Sequence, residues 1–324
     1  MKNILIISAL AGVLALSSCR RDDLYYATVD RATVRIEADW TPARLTPNGV
    51  SAFVFDRNGA AFDVVRSNDS RKADLSLPEG SYSVVVLNNT LDEYRNIESA
   101  GTDRLETFAL MGRAVSPNFT SLGGGTRAES FIGEPDTVAG SVVRNIEVTR
   151  KMIEYFRTKP HGMEPAPAAV YQTAPTRIIS VADIRVHVKG LKYAAGAPRT
   201  HLKNLSGGYY LDSDKPHSLQ VCHEFVLNNR CFDAEDPRNG TITRQLATFG
   251  LHEETGVRYL MEMEFVLLNG EKHPVSLDVT DAIRVTQGAT HKIIHIEVEI
   301  ELPEVIGNGD GAFLSLIHIS EPTR

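Results

Sequence analysis

Hydrophobic and polar residues alternate one by one along much of this chain. In TVRIEADW, Val34, Ile36 and Trp40 share one side of the segment, and charged residues occupy the positions between them. Because side chains point to opposite faces of a β-strand in turn, this period of two predicts strands with one buried and one solvated face. The same alternation recurs in IRVHVKGL, RYLMEMEF and HIEVEIELP, whereas no segment keeps a helical period for long.

Turn signals separate these alternating runs. Asn-Gly dipeptides, which favour tight hairpins, begin at positions 58, 239 and 269. In LPEGSYSVVVLNNT, Pro78 and Gly80 predict a tight turn, and Tyr82 begins the alternating strand that follows. This opening resembles the turn and strand of transthyretin-like sandwich modules, and the resemblance implies that Tyr82 is a packing residue. We therefore predict an all-β protein with two tandem transthyretin-like, Greek-key β-sandwich domains.

A proline-rich stretch divides the chain into two halves. The segment KPHGMEPAPAAVYQTAP, residues 159–175, contains four prolines and no alternation, so we interpret it as a linker. This interpretation assigns residues 29–158 to an N-terminal sandwich and residues 176–306 to a C-terminal one. The tetrapeptide VLNN occurs once in each half, which favours two related sandwiches.

The N-terminus has the layout of a cleaved export signal. Lys2 precedes an apolar run of thirteen residues, which small residues and then Cys19 follow. This run is shorter than the roughly 20 residues of a membrane-spanning helix. Its ending, LSSC, resembles a bacterial lipobox, in which the cysteine thiol takes a diacylglyceryl group and two or three acyl chains anchor the protein firmly.

The lipobox therefore predicts a signal peptide over residues 1–18 and lipidation of Cys19, which attaches the protein to outer-membrane lipid. Residues 19–28 would form the linker between the lipid and the first domain. A soluble secreted protein, with a cysteine close to the cleavage point by chance, is the alternative.

Composition and motifs exclude several classes of function. The net charge is −7, and no basic block occurs beyond Arg20 and Arg21, which argues against nucleic-acid binding. The sequence contains no serine-hydrolase elbow, zinc-protease motif, phosphate-binding loop or dinucleotide fingerprint. Its ten histidines are scattered rather than set at metal-ligand spacing. We expect no enzymatic activity, no cofactor and no metal.

Two further cysteines raise the question of a disulfide. Cys222 and Cys231 flank the residues LNN in LQVCHEFVLNNRCFD, and an exported protein meets an oxidising environment. If LNN forms a hairpin turn, the two thiols could approach closely enough to bridge. Two free thiols are the alternative, and the sequence leaves both open.

Several segments together resemble the fimbrillin-related outer-membrane lipoproteins of Bacteroides-type bacteria, in an uncharacterised branch of that superfamily. The resemblance rests on CRRDDLY from Cys19 onward and on VDRA leading to Asp39-Trp40. In the second half it rests on HVKGLKY, GGYY, FVLNNR, GTITRQLATFGL and SLDVTDAI. It implies a lipid-anchored fimbrial (pilus) subunit, anchor or adhesin on the cell surface, with other fimbrial subunits and a host or glycan ligand as partners.

The resemblance also implies assembly by donor-strand exchange, in which an extended segment of one subunit completes the sandwich of another. The candidate donor is the alternating segment 292–302, and the alternative is that it forms the last strand of its own domain. Fimbrillin stalk subunits lose their first strand after cleavage at an arginine, and Arg44 is the candidate position here. The apolar residues of the candidate donor are Ile294, Ile296, Val298, Ile300 and Leu302.

A second function remains open at this stage, namely a glycan-binding lipoprotein of a nutrient-uptake system. It requires exposed aromatic residues, for which Tyr25, Tyr26, Tyr209 and Tyr210 are the candidates. The chain ends in a glycine-rich tail, residues 307–324. Its last part, LSLIHISEPTR at 314–324, resembles a translated sequencing adapter, so we expect the native chain to continue differently after Phe313.

Overall fold

The computed structural model describes residues 30–118, 129–158 and 166–305, in which β-strands are the dominant regular structure. The first eleven strands are β1 Arg31–Ala38, β2 Val50–Asp56, β3 Ala61–Ser67, β4 Lys72–Pro78, β5 Gly80–Asn88, β6 Ile97–Ala100, β7 Ala109–Gly112, β8 Phe131–Ile132, β9 Ala139–Val148, β10 Ala169–Thr173 and β11 Thr176–Arg177. The remaining strands are β12 Ser180–Lys189, β13 Arg199–Ser206, β14 Gly208–Tyr210, β15 Lys215–Pro216, β16 Gln220–Val226, β17 Asn229–Phe232, β18 Gly240–Thr248, β19 Leu260–Val266, β20 Lys272–Asp278, β21 Ile283–Gln287 and β22 Lys292–Glu301.

The N-terminal sandwich packs a three-stranded sheet, β10-β1-β4, against a five-stranded sheet, β11-β9-β5-β2-β3. Strand β1 runs antiparallel to β4 and parallel to β10. Val34 and Ile36 of this strand, and Trp40 just after it, are buried in the core between the sheets, as the sequence pattern predicts. Tyr82 is also buried, and its hydroxyl donates a hydrogen bond to the Pro78 carbonyl at 3.2 Å, so it is a packing residue.

The C-terminal sandwich repeats the strand topology of the first. Its sheets have the orders β17-β18-β12-β22-β21 and β20-β19-β13-β16-β8. In both halves the first strand lies between a parallel last strand and an antiparallel middle strand: β1 between β10 and β4, and β12 between β22 and β18. The opposite sheets correspond as well, with β9-β5-β2-β3 matching β20-β19-β13-β16. The all-β, two-sandwich fold is therefore confirmed.

The repeated tetrapeptide does not reflect this duplication. Residues 86–88 form the end of β5 and residue 89 follows it, whereas residues 226–229 run from the end of β16 to the start of β17. Strands β5 and β16 occupy different positions in the shared topology. The match between the two VLNN segments is therefore coincidental, and the relationship between the halves rests on strand pairing.

The proline-rich stretch is only partly a linker. Ala169–Thr173 forms β10, which pairs with β1, and Thr176–Arg177 forms β11, which pairs with β9. Both strands belong to the N-terminal sandwich, so this sandwich extends beyond its predicted end at residue 158. The sequence pattern did not reveal β10, because the prolines on both sides leave too few residues for an alternating pattern to be recognised.

A third hydrophobic core joins the two sandwiches. The crossing from β5 to β9 carries β6 and β7, and β7 pairs with β14 of the second half. Phe108 from this crossing packs against Phe53 at a ring distance of 5.0 Å, and Tyr209 and Phe249 of the second half complete the same core. Arg144 and Asp212 add an ion pair of 2.6 Å across the boundary. The two sandwiches are therefore joined by a shared hydrophobic core and not only by a linker.

One α-helix, α1 at Arg150–Arg157, follows β9. It buries Ile153 in the N-terminal core and contacts β1. The helix spans two turns, too short for its period to stand out among the strands of the sequence.

Candidate functional site

Arg44 lies in the turn that directly follows β1, with its side chain exposed and a left-handed backbone (φ 50°). Its N–H bonds the carbonyl of Thr41 at 3.1 Å. The preceding Ala43 is fully buried, and its carbonyl accepts a 2.8 Å hydrogen bond from Arg177 Nε. The arginine is thus accessible, while the bond before it is held in place. Cleavage at Arg44 stays a prediction.

The candidate donor segment occupies a place in its own domain. Strand β22 lies between β12 and β21, and nine of its residues are in register with β12. Ile294, Ile296, Ile300 and Leu302 are buried in the C-terminal core, and Val298 packs against that core half-buried. The structure therefore supports the alternative, in which this segment is the last strand of its own sandwich. As a donor it would have to leave a filled core position.

The two cysteines lie in different sheets, and both are free thiols. Cys222 is on β16 and Cys231 on β17, and the chain crosses from one sheet to the other between them. The residues LNN thus form a crossover and not the hairpin that the candidate disulfide required. Burial raises the pKa of the Cys222 thiol to about 12, so this group is inert, whereas Cys231 is exposed.

The tyrosines proposed for glycan binding do not form an exposed platform. Tyr209 is 8% exposed in the core between the sandwiches, and its hydroxyl donates to Asp214 at 2.9 Å. Burial raises the pKa of this phenol. Tyr210 is half-buried, with its ring 4.5 Å from the His217 imidazole. Tyr25, Tyr26, Cys19 and the glycine-rich tail lie outside the described residues.

The sequence pattern missed a buried cluster of charged groups on β13 and β19. Lys203 Nζ lies 2.7 Å from Glu262 Oε1 and 2.8 Å from Glu129 Oε1. His201 Nε2 lies 3.2 Å from Glu224 Oε2, and the imidazole is completely buried. Burial, the largest single influence, lowers the pKa of Lys203, but the hydrogen bonds to the two carboxylates outweigh it and raise the pKa overall.

These groups are buried because a distant segment covers the outer face of the sheet. The Phe131 ring packs edge-on against His201 at 4.8 Å, and β8 pairs with β16. The backbone N–H of Asn118 donates to Glu224 at 2.8 Å. Alternation alone predicts a solvated face for Glu262, since the covering residues come from elsewhere in the chain. The cluster therefore holds this cover on the sheet.

A cleft of about 490 Å³ lies between the two sandwiches. Both of its carboxylates have partners: Asp214 accepts from Tyr209, and Glu253 pairs with Lys215 at 2.8 Å. Burial lowers the pKa of His291, and the nearby Arg177 lowers it further. Within the described ranges, no set of acidic, histidine and cysteine residues could hold a metal ion. No helix of those ranges is long and apolar enough to cross a bilayer.

Comparison with known proteins places these features in a family. The model of DUF5119, a domain of unknown function, matches residues 18–225. The fold is similar to the crystal structure of a candidate adhesin from Bacteroides ovatus ATCC 8483, with 18% identity, a TM-score of 0.57 and coverage of 89% of this chain and 98% of that one. No curated protein matches the chain.

The fimbrial anchor protein Mfa2 from Porphyromonas gingivalis is a more distant structural match. It has 13% identity and a TM-score of 0.46, over 83% of this chain and 90% of that one. The likeness to the Bacteroides ovatus structure shows that the two chains share a fold.

Proposed function

From the premise that this chain belongs to the DUF5119 family, we propose that it is a fimbrial or adhesin subunit anchored in the outer membrane through Cys19. The observation that carries this proposal is the fold, which the chain shares with a Bacteroides candidate adhesin over nearly the whole of both proteins. The family match begins at residue 18, next to the lipobox cysteine, which agrees with a mature chain that starts there.

Partner subunits would bind by strand addition at an open sheet edge. Strand β3 ends its sheet, and Phe62 and Val64 on it are 40% and 39% exposed. An extended partner segment could pair with the free backbone groups of this edge and cover both side chains. Strand β22 is less suited to exchange, because its apolar residues already fill the C-terminal core.

Cleavage at Arg44 would be an alternative fate for the same chain. The cut would detach the segment that contains β1. Once that segment leaves, a groove remains between β4 and β10, beside the core residues Leu75 and Leu77 of β4. Because this cut also removes Cys19, a cleaved subunit belongs in a fibre stalk, and an intact one acts as an anchor or adhesin. N-terminal sequencing of surface material distinguishes them: a lipidated Cys19 alone rules out the cleavage.

The proposal is tested in the native bacterium by deleting the gene and restoring either the original protein or a Cys19→Ala variant. We expect the original protein in the outer-membrane fraction, accessible to protease on whole cells, and the variant released from the membrane. Electron microscopy of the deletion strain should show fibres lost or detached, or adhesion reduced. Unchanged fibres and adhesion, with slower growth on a polysaccharide, would instead favour the nutrient-uptake function.

A further inference from the structure

The two ends of the described chain lie at opposite ends of the molecule. The chain enters at Asp30, before β1, and β1 leads towards the boundary between the sandwiches, where the Ala43 carbonyl meets Arg177. Strands β12 and β22 both start beside the cleft at this boundary and run parallel away from it. At their far ends, Leu302 N–H bonds the carbonyl of Lys189 at 2.9 Å. Tension between the two ends therefore acts along the strands.

In each sandwich, the first strand pairs in parallel with the last strand of the same sheet. Five residue pairs join β1 to β10, and nine join β12 to β22. When β1 is pulled from its start and β10 from its end, the two strands slide past each other, so all of their hydrogen bonds share the load at once. If both strands were pulled from the same end, the bonds would break one after another at a much lower force.

Side-chain contacts and the shared core carry force between these strand pairs. On its other side, β1 is joined to β4 by seven residue pairs and by the Arg35–Asp74 ion pair, with Nε–Oδ1 and Nη2–Oδ2 distances of 2.7 and 2.8 Å. The third hydrophobic core and the Arg144–Asp212 pair connect the sandwiches. A continuous path of contacts therefore runs from β1 to the far end of β22.

We propose that the parallel pairs β1–β10 and β12–β22 are mechanical clamps, and that this protein bears tensile load between the membrane and whatever binds its far end. The source of the load rests on the proposed function, since only an anchored surface protein is pulled in this direction. The β1–β10 pair, with five residue pairs against nine, is the weaker clamp and sets the rupture force.

Single-molecule force spectroscopy on the mature chain from Cys19 tests the clamp. The Cys19 thiol serves as one handle, Cys231→Ser removes the exposed free thiol, and the second handle is either a C-terminal thiol or Ala166→Cys. The C-terminal handle shears β1 against β10, whereas the handle at residue 166, just before β10, peels them apart. We expect the shearing geometry to need at least about twofold more force, because forced unfolding follows the unfolding barrier. Equal forces would overturn the proposal.

A proline substitution locates the clamp. Thr173 accepts from Asp39 N–H at 2.9 Å, and in a parallel pair the residue that accepts from the neighbouring strand also donates to it, so Thr173→Pro should remove one β10–β1 hydrogen bond and lower the shearing force. Asp63→Pro on the edge strand β3 is the matched control, off the path of the load. An equal loss in both variants would contradict the clamp.

A disulfide staple keeps the test decisive if the proline variant does not fold. Glu37 and Gln172 are register partners, so Glu37→Cys with Gln172→Cys should lock β1 to β10 when oxidised and increase the rupture force. Reduction of the same molecules should restore the original force; no difference between the two states would refute the clamp. If the force measurements contradict the clamp, the proposed surface location still stands. If the cell experiments contradict anchoring through Cys19, the measured rupture forces do not change. The two proposals can therefore be disproved separately.

Discussion

The imidazole of His223 is buried on β16, and neither of its ring nitrogens has a hydrogen-bond partner in the part of the chain that the structure describes. Burial lowers the pKa of this group to about 4. The unfolded chain therefore takes up the proton near pH 6.5, while the folded protein resists it until about pH 4. Stability is lost as the pH falls through this window.

His223→Leu tests this acid sensitivity. Between pH 7 and pH 4 the original protein should lose about 3 kcal/mol more free energy of unfolding than the variant, since leucine cannot take up a proton. Urea unfolding at both pH values measures the difference. Equal losses in the two proteins would show that His223 does not titrate as its burial requires.

Lys203→Met should strongly destabilise the fold. The lysine compensates Glu262, which is almost fully buried, and methionine would leave that carboxylate without its main counter-charge. Breaking a buried ion pair in this way costs about 3–5 kcal/mol of unfolding free energy, measurable by urea denaturation.

The matched control is Lys189→Met, which breaks an exposed pair with Glu299 on the solvated face of β12 and β22. An exposed ion pair contributes about 1 kcal/mol or less, so this variant should unfold close to the original protein. Similar losses in both variants would mean that the buried cluster does not hold the cover on the sheet.

At the scale of elements, the contact between β7 and β14 depends on a residue without a side chain. A Cβ at Gly208 would lie 2.5 Å from the carbonyl oxygen of Leu110, which is too close for any side chain. Gly208→Ala should therefore force the two strands apart and destabilise the protein by about 1–3 kcal/mol in urea unfolding. Gly196→Ala is the control, because no heavy atom lies within 4 Å of the position that its methyl group would take, and it should change stability by less than about 1 kcal/mol.

For the whole molecule, the core between the sandwiches implies that both halves unfold together. Phe108 is fully buried in this core, and Phe108→Ala should cost about 3–5 kcal/mol and lower the midpoint of a single calorimetric transition by roughly 10 °C. Two resolved transitions, of which only one shifts, would show that the sandwiches are independent domains joined by a flexible linker.

The sequence by itself determined the fold class, the strands with clear alternation and which face of each points into the core. Val34, Ile36 and Trp40 lie in the core because alternation acts within each strand, where burying one face dictates the residue types. The packing role of Tyr82 was implied by the resemblance of its turn and strand to transthyretin-like modules, and its side chain is buried.

Only the tertiary structure decided how these strands meet. It paired Ala169–Thr173 with β1, put Cys222 and Cys231 in different sheets, and covered Glu262 with a segment more than a hundred residues away. Each of these outcomes depends on contacts between residues that are far apart in the chain. No local pattern encodes such contacts. Only the tertiary structure therefore shows that the two sandwiches share a hydrophobic core, and the proposed path of force depends on that core.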